Sequence, residues 1–509
     1  MPGAARKRRL VGIIGAGFSG LIVAIGLRRA GIDNFVLYER EDDFGGTWYV
    51  NRYPGCAVDS GSGTYRLSYL PYNWSRSHAS APEVLGYLRH AVEKFDIAGH
   101  LRCNCAVKSV RWDDSRNTYE IMLADGGVEE ADVVFSAVGL LSEPSYPNWP
   151  GLELFQGKLL HTAKWDTALD YTAKRVAVIG TGSTSVQLVP ELAKKAAHVS
   201  VFQRQPGWIF PKEVVEFHRA AGPVSSQEEA DAHDAYRQKA MADVAARFAD
   251  GRISQIGTAE NTKARTNAEN FIRESFADRP DLIPLVTPDY PVMGKRPVFS
   301  SDFYPALKRD NVTLVPHAVS ALTADGLVDA TGKEHRVDIV VLATGFAASQ
   351  FLRSVDVRGI NGISLHDYWQ DEPRAYLGVM VPGFPNFFIM YGPNTNSTGG
   401  LVTMLESQAA FAIDTIQDML NAGCSTVQVD EAKFEAYNRW LDDAFVNSAY
   451  KSTHNYFTNK RGRVITNFPR GSETFVKMLR EGREGALVYG GTRDDPAGIT
   501  PRVVAARPR

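Results

Sequence analysis

Arg9-Leu10-Val11-Gly12-Ile13-Ile14-Gly15-Ala16-Gly17-Phe18-Ser19-Gly20 decides the fold, because its design recurs at Arg175-Val176-Ala177-Val178-Ile179-Gly180-Thr181-Gly182-Ser183-Thr184-Ser185. In each stretch an apolar run reads as a buried parallel strand, and the glycines read as a tight turn opening a helix. The expected helices are Leu21 to Ala30 and Val186 to Ala196. The expected next strands are Phe35 to Tyr38, ending at Glu39, and Val199 to Gln203, ending at Arg204. These are two βαβ units rather than a short-period repeat.

The glycines have separate tasks. The first permits the turn, the second lets backbone approach a pyrophosphate, and the third lets helix pack on strand. The helix N-terminus then offers free N–H groups and the positive end of its dipole to phosphate. A lone GxGxxG is a weak signal, but here each loop lies between a strand and a helix, the context it needs. Gly15, Gly17 and Gly20 make the first site, and Gly180, Gly182, Ser183 and Thr184 the second, with Ser185 in place of the third glycine. Glu39 and Arg204 stand equally far behind their turns. A carboxylate there accepts hydrogen bonds from ribose hydroxyls, whereas an arginine suits a 2′-phosphate. The bland alternative is that both are exposed strand-end charges.

The rest of the chain is ordinary for a soluble enzyme. Its 509 residues suggest about three domains. A net charge of −2 gives no drive toward nucleic acid. Four cysteines, Cys56, Cys103, Cys105 and Cys424, are too few for a disulfide framework and fit a cytoplasmic location. Arg6 to Arg9 before the apolar run Leu10 to Leu27 imitates a targeting segment, but Gly12, Gly15, Gly17, Gly20 and Gly26 inside the run favour strand-turn-helix, so no stable membrane insertion is expected. The basic end is expected to be solvated. Eleven histidines form no ligand-spaced cluster, so no metal is expected.

Pro144, Pro147 and Pro150 mark a connection between halves. From about Ser225 to Ala277 the composition turns helical, with Ala230 to Asp250 the clearest case. Val337 to Ala343 reads as a buried strand, Asn386 to Tyr391 as another, and Leu401 to Ala422 as a long helix.

Two further strings carry a family resemblance. Phe155-Gln156-Gly157-Lys158-Leu159-Leu160-His161-Thr162-Ala163-Lys164-Trp165-Asp166 reads FxGxxxHxxxWD and lies between the two glycine turns. Gly45-Gly46-Thr47-Trp48-Tyr49-Val50-Asn51-Arg52-Tyr53-Pro54-Gly55 follows the first unit, with Asp59 just after. Together they resemble the signatures of the type I Baeyer-Villiger monooxygenases, flavoproteins that use NADPH and O2 to insert oxygen beside a ketone carbonyl. The resemblance implies an α/β fold of two Rossmann-like dinucleotide-binding domains, for FAD and NADP, with a helical insertion in the NADP domain. It implies residues 1–145 plus 385–509 for FAD, 155–212 plus 295–380 for NADPH, and 213–294 for the insertion. The return of the chain to the first domain near residue 385 rests on resemblance alone.

The resemblance also assigns residues. Gly46, Thr47, Trp48 and Tyr53 join the flavin contacts, although for Trp48 and Tyr53 simple core is the default reading. In Met293-Gly294-Lys295-Arg296-Pro297, Arg296 is the arginine over the flavin and Lys295 a second contact to the 2′-phosphate. Read without the family, this is a basic surface loop. Arg296 as a fixed cation favours an anionic flavin C4a-peroxide and the negative charge that follows attack on the ketone, and Asp59 pairs with it. Asp59 alone would read as a loop carboxylate capping nearby N–H groups. Phe155, Gly157, His161 and Trp165 form a conformational fingerprint, with His161 coupling domain movement rather than moving protons. NADP+ is implied to stay bound and exclude water.

The match weakens toward the C-terminus. Thr453-His454-Asn455-Tyr456-Phe457 occupies the region where many relatives carry a tryptophan-bearing lid, so Tyr456 or Phe457 takes its place. The implied partner is a small apolar ketone. The rival readings are an N- or S-oxygenating flavin monooxygenase, against which Trp165, Asp166 and Arg296 speak; a flavin disulfide reductase, which lacks a cysteine pair in a cofactor loop; and a nucleotide-binding protein without turnover.

Overall fold

The computed structural model describes residues 8–492. The first strand runs Arg8–Ile14 and pairs in parallel with Phe35–Tyr38 on one side and Val128–Ser136 on the other. An antiparallel meander continues outward from Val128–Ser136 through Thr118–Leu123 to Val107–Asp113. Leu101–Arg102 closes the opposite edge beside Phe35–Tyr38. Two late segments complete this eight-stranded sheet. Asp356–Arg358 pairs with Val107–Asp113, and Phe387–Ile389 pairs with Val128–Ser136.

The second sheet has five strands, all parallel, in the order Val312–Val315, His198–Phe202, Arg175–Ile179, Ile339–Leu342 and Lys158–His161. All four residues of Phe35–Tyr38 and of Ile339–Leu342 are buried. Such unbroken apolar runs arise because a parallel sheet is covered on both faces.

Both helices begin earlier than the sequence suggests. They run Phe18–Arg29 and Ser183–Leu192, capped at their N-termini by Gly17 and Gly182 with no side-chain cap. The helix therefore starts inside the glycine string. Its first N–H groups, which have no partner within the helix, stay directed at the turn. Arg8 and Arg9 already lie in the first strand, while Arg6 and Lys7 of the expected solvated end lie outside the described residues. No helix among the described residues is long and apolar enough to cross a membrane.

Between strands His198–Phe202 and Val312–Val315 of the second sheet the chain forms helices Gln227–Phe248 and Ala259–Ser275. The first is capped by Ser226, whose Oγ accepts the Glu229 N–H. It docks on the opening of helix Leu401–Asn421. A Cβ on Gly399 would sit 2.1 Å from Val244, and one on Gly400 3.0 Å from Met241. The chain touches the first sheet at Asp356–Arg358, ahead of the expected return near residue 385.

The third glycine of the first turn has no freedom. A Cβ on Gly20 would lie 1.9 Å from the Gly15 carbonyl oxygen, a backbone atom fixed by the turn. Gly20→Ala is therefore expected to destabilise the first unit by about 1–3 kcal/mol and to strip bound dinucleotide. Thermal unfolding and the cofactor content of the purified protein check this. In the second turn Ser185 takes the matching place and is fully buried, and its hydroxyl has no hydrogen-bond partner among the described residues.

A candidate active site between two dinucleotide turns

Glu39 is 6% exposed, not the exposed strand-end charge of the bland reading. Its Oε2 accepts the Ala16 N–H at 2.8 Å and its Oε1 the Glu41 N–H at 3.1 Å. Two backbone donors thus fix the carboxylate at the mouth of the first turn, and its remaining lone pairs are free to receive hydroxyls. Gly46 (φ +54°) closes this mouth from the other side. A Cβ on it would come 2.9 Å from the Gly17 Cα, so the two cofactor loops approach backbone to backbone. Thr47 opens the short helix Thr47–Val50. The Trp48 indole N–H donates to the Tyr65 hydroxyl at 3.1 Å, with the rings edge to face.

Around the second turn, Gly180 adopts φ +109°, and Gly182 faces open space where a Cβ would point. Ser183 and Thr184 form the first turn of the helix. Arg204 is exposed, but it is not isolated. Lys295 is held near it, and burial first and the Arg204 charge next lower the lysine pKa. The two cations thus stand near enough for their charges to oppose each other.

Arg296 and Asp59, 237 positions apart, meet at 3.1 Å between guanidinium Nη2 and carboxylate Oδ2. The Arg296 side chain keeps 44% of its accessible surface. Asp59, Tyr456 and Tyr391 are the groups close enough to act on its charge. Burial works against its charge, but Asp59 and the two phenols beside it outweigh that, and its pKa is pushed up. The cation is therefore permanent. Burial raises the Tyr391 hydroxyl to about 12, so it stays protonated near neutrality. Met293, just ahead of this loop, takes the strained left-handed conformation (φ 73°), and so does Tyr391 (φ 55°). Such strain collects where the surroundings over-determine a backbone. After the bend at Met293, successive residues serve different partners: Lys295 meets Arg204 and Arg296 meets Asp59.

Tyr53 links the first unit to the second. Its hydroxyl donates to Gln187 Oε1 at 2.9 Å, on the helix Ser183–Leu192. The Gln187 amide donates in turn to the Ala57 carbonyl at 3.0 Å and to Asp59 Oδ1 at 3.3 Å.

In the fingerprint, a Cβ on Gly157 would strike the Asp338 carbonyl at 2.4 Å and the Phe155 ring at 2.5 Å, so the glycine admits strand Lys158–His161 to the sheet edge. His161 is 2% exposed. Its Nδ1 accepts the Ala163 N–H at 3.1 Å and its Nε2 lies 3.1 Å from the Gly345 carbonyl. That carbonyl also accepts the Ser145 N–H, in the connection between halves. Burial lowers the histidine pKa. Both ring nitrogens are thus engaged by backbone, one of them across to the segment that carries Gly345. Trp165, four residues further on, is buried as well.

Sequence reading missed four of these side chains: Tyr65, Gln187, Tyr391 as a neighbour of Arg296, and Lys212, whose Nζ donates to the Val58 carbonyl at 2.9 Å. Of the two lid candidates, Tyr456 reaches Arg296, whereas Phe457 is core, 2% exposed. The Asn455 amide donates to the Gly294 carbonyl at 2.6 Å and so ties this late loop to the Arg296 loop.

Comparison with known proteins gives a consistent picture. The family model described as pyridine nucleotide-disulphide oxidoreductase matches residues 12–269. A Baeyer-Villiger monooxygenase of Pseudomonas aeruginosa is 37% identical over 491 residues, covering 94% of this chain and 91% of that protein. One of Streptomyces coelicolor is 32% identical over 509 residues, covering 97% and 95%. Among solved structures, oxidized steroid monooxygenase bound to NADP superposes with a TM-score of 0.84 at 28% identity, covering 95% of this chain and 99% of that one. Closed cyclohexanone monooxygenase gives 0.85 at 26% identity, covering 96% and 100%.

Proposed function

The chain belongs to the Baeyer-Villiger monooxygenases, and from that membership we propose how its own residues divide the reaction. The enzyme uses FAD, NADPH and O2 to convert a ketone to an ester or lactone. The residues fit both cofactors. The first turn offers uncapped helix N–H groups, a Gly17–Gly46 approach too close for side chains, and a held Glu39 for ribose hydroxyls. The second offers the same helix end with Arg204 and Lys295 for a 2′-phosphate. The proposed division assigns residues 1–145 and 385–509 to FAD, 155–212 and 295–380 to NADPH, and 213–294 to the insertion, with Asp356–Arg358 as a contribution of the second group to the first sheet.

Bound FAD, reduced by NADPH, supplies the electrons that activate O2; one oxygen atom enters beside the carbonyl and the other leaves as water. Arg296 presents a permanent positive charge to the negative charge that develops during attack on the ketone. A preorganised donor of this kind supplies roughly 3–4 kcal/mol of transition-state stabilisation in a water-poor cleft. Asp59 fixes the guanidinium and balances it. Tyr456 holds it from the C-terminal loop, in the place where many relatives carry tryptophan. Trp48, Tyr65 and Tyr391 make the cleft aromatic, which favours a small apolar ketone. His161 is the conformational tie between fingerprint and connection. The four free cysteines, none paired, favour a cytoplasmic setting.

The observation that carries this reading is the Arg296–Asp59 pair, which joins a loop of the first half to a loop of the second across 237 positions of sequence. Incubation of the yellow protein with NADPH, air and cyclic, linear and aryl ketones, followed by product mass, tests it. An ester or lactone one oxygen heavier than its ketone is expected. Sulfide or amine oxidation with no such product from any ketone would overturn the assignment.

A further inference from the structure

The short parallel ribbon Ile209–Phe210 with Val298–Phe299 carries two cations toward one loop of the first half. Arg296 lies just before its second strand, and Lys212 just after its first. The ribbon's exit is locked, because Lys212 N–H donates to Ser301 Oγ and that hydroxyl donates back to the Lys212 carbonyl, both at 2.9 Å. From there the Lys212 ammonium donates to the carbonyl of Val58, the residue next to Asp59. Arg296 takes Asp59 itself.

The loop Ala57-Val58-Asp59 is thus gripped at each residue by a side chain of the second half: Gln187 at Ala57 and Asp59, Lys212 at Val58, Arg296 at Asp59. An ordinary surface lysine extends into water. This one is half-buried, and burial lowers its pKa while Asp59 first and Asp302 second support its charge. Arg76 opposes that charge, and the Cys56 thiol adds little because burial keeps it protonated, at about 11. His78 alongside is held neutral, pushed down to about 4 by burial and then by Lys212 itself. A half-buried ammonium is costly unless its hydrogen bond and charge partners return the cost. Here the hydrogen-bond partner and the stronger charge partner belong to the loop that aims the carboxylate at Arg296.

We propose that Lys212 is a positioning residue for oxygen transfer: it holds the Ala57–Asp59 loop, so that the Asp59–Arg296 pair keeps its geometry only while the two halves are in register. The inference rests on the oxygenase reading and adds a residue to it. Lys212 touches neither turn, so its removal leaves hydride transfer from NADPH alone. What it changes is the fraction of NADPH that ends as oxygenated product rather than H2O2.

The test compares Lys212→Met, Lys212→Gln and Lys212→Arg as FAD-loaded enzymes. Flavin bleaching by NADPH without oxygen, product per NADPH, H2O2 per NADPH and thermal midpoint are measured for each. Lys212→Met is expected to bleach at the parent rate and to lose roughly 10- to 100-fold in product per NADPH, the effect of one hydrogen bond to a charged group. Lys212→Arg is expected to recover most of the loss, and Lys212→Gln, which keeps a donor without the charge, only part. Parent-like coupling in Lys212→Met and Lys212→Gln overturns the proposal. So does equal loss of bleaching and coupling with a lowered midpoint, which marks a purely structural lysine. Should Lys212→Met not fold, Lys212→Gln against Lys212→Arg decides. If the parent itself oxygenates only sulfides or amines, the ketone reading fails, while the coupling ratio with that product still tests Lys212.

Discussion

Arg296→Ala is expected to bind FAD and to be reduced by NADPH at close to the parent rate, yet to form oxygenated product about 10²- to 10³-fold more slowly. The separation follows from where the side chain sits. Arg296 contacts Asp59 and the Tyr456 hydroxyl in the cleft, whereas the groups proposed to seat the cofactors are the two helix ends, Glu39, Arg204 and Lys295. Removing the guanidinium leaves those seats in place. It also leaves Asp59 with one cation fewer, so part of the loss reflects an uncompensated carboxylate rather than the missing donor. Arg296→Lys divides the two effects. It restores a charge but not the planar fork, and a lysine in a water-poor cleft loses its proton more easily than an arginine. Stopped-flow reduction, product yield and H2O2 release under air provide the readings. Ketone oxygenation at the parent rate by Arg296→Ala would remove Arg296 from the chemistry, and equal loss of reduction would assign it to NADPH binding instead.

The backbone design was open to reading because it is written locally. Phe35–Tyr38 and Arg175–Ile179 fall where their apolar runs predict. The helix starts were misjudged by three residues because a glycine N-cap leaves no polar signature, unlike Ser226 ahead of Gln227–Phe248. Asp356–Arg358 is too short to carry an alternation signal, so its pairing with Val107–Asp113 was hidden. Glu39 and the Arg296–Asp59 pair were legible because motifs name them. Gln187 and Lys212 were not. A glutamine on a helix and a lysine beyond a strand read as solvated surface, and only the packing of one half on the other shows that both hold residues 57–59. Tyr456 and Phe457 stand side by side in an irregular loop, and nothing in the sequence says which turns inward.

Arg204→Ala is expected to raise the KM for NADPH by roughly 10- to 100-fold, the worth of one charged hydrogen bond to phosphate, and to leave NADH oxidation nearly unchanged. The argument turns on repulsion. Arg204 lowers the pKa of Lys295, which means the two charges oppose each other when nothing anionic lies between them. A 2′-phosphate relieves that opposition as well as accepting hydrogen bonds, and NADH brings no such group. Arg204→Ala therefore removes an attraction for NADPH and a repulsion on Lys295 together. The double variant Arg204→Ala, Lys295→Ala is expected to cost less than the sum of the singles in energy if Lys295 recovers part of the phosphate alone, and more if each cation compensates for the other. Either sign of coupling links the two residues at one phosphate. Strict additivity would place them at separate contacts. Equal losses with NADH and NADPH in Arg204→Ala would remove the 2′-phosphate role and leave Arg204 as the exposed charge that its position at the end of a strand first suggests.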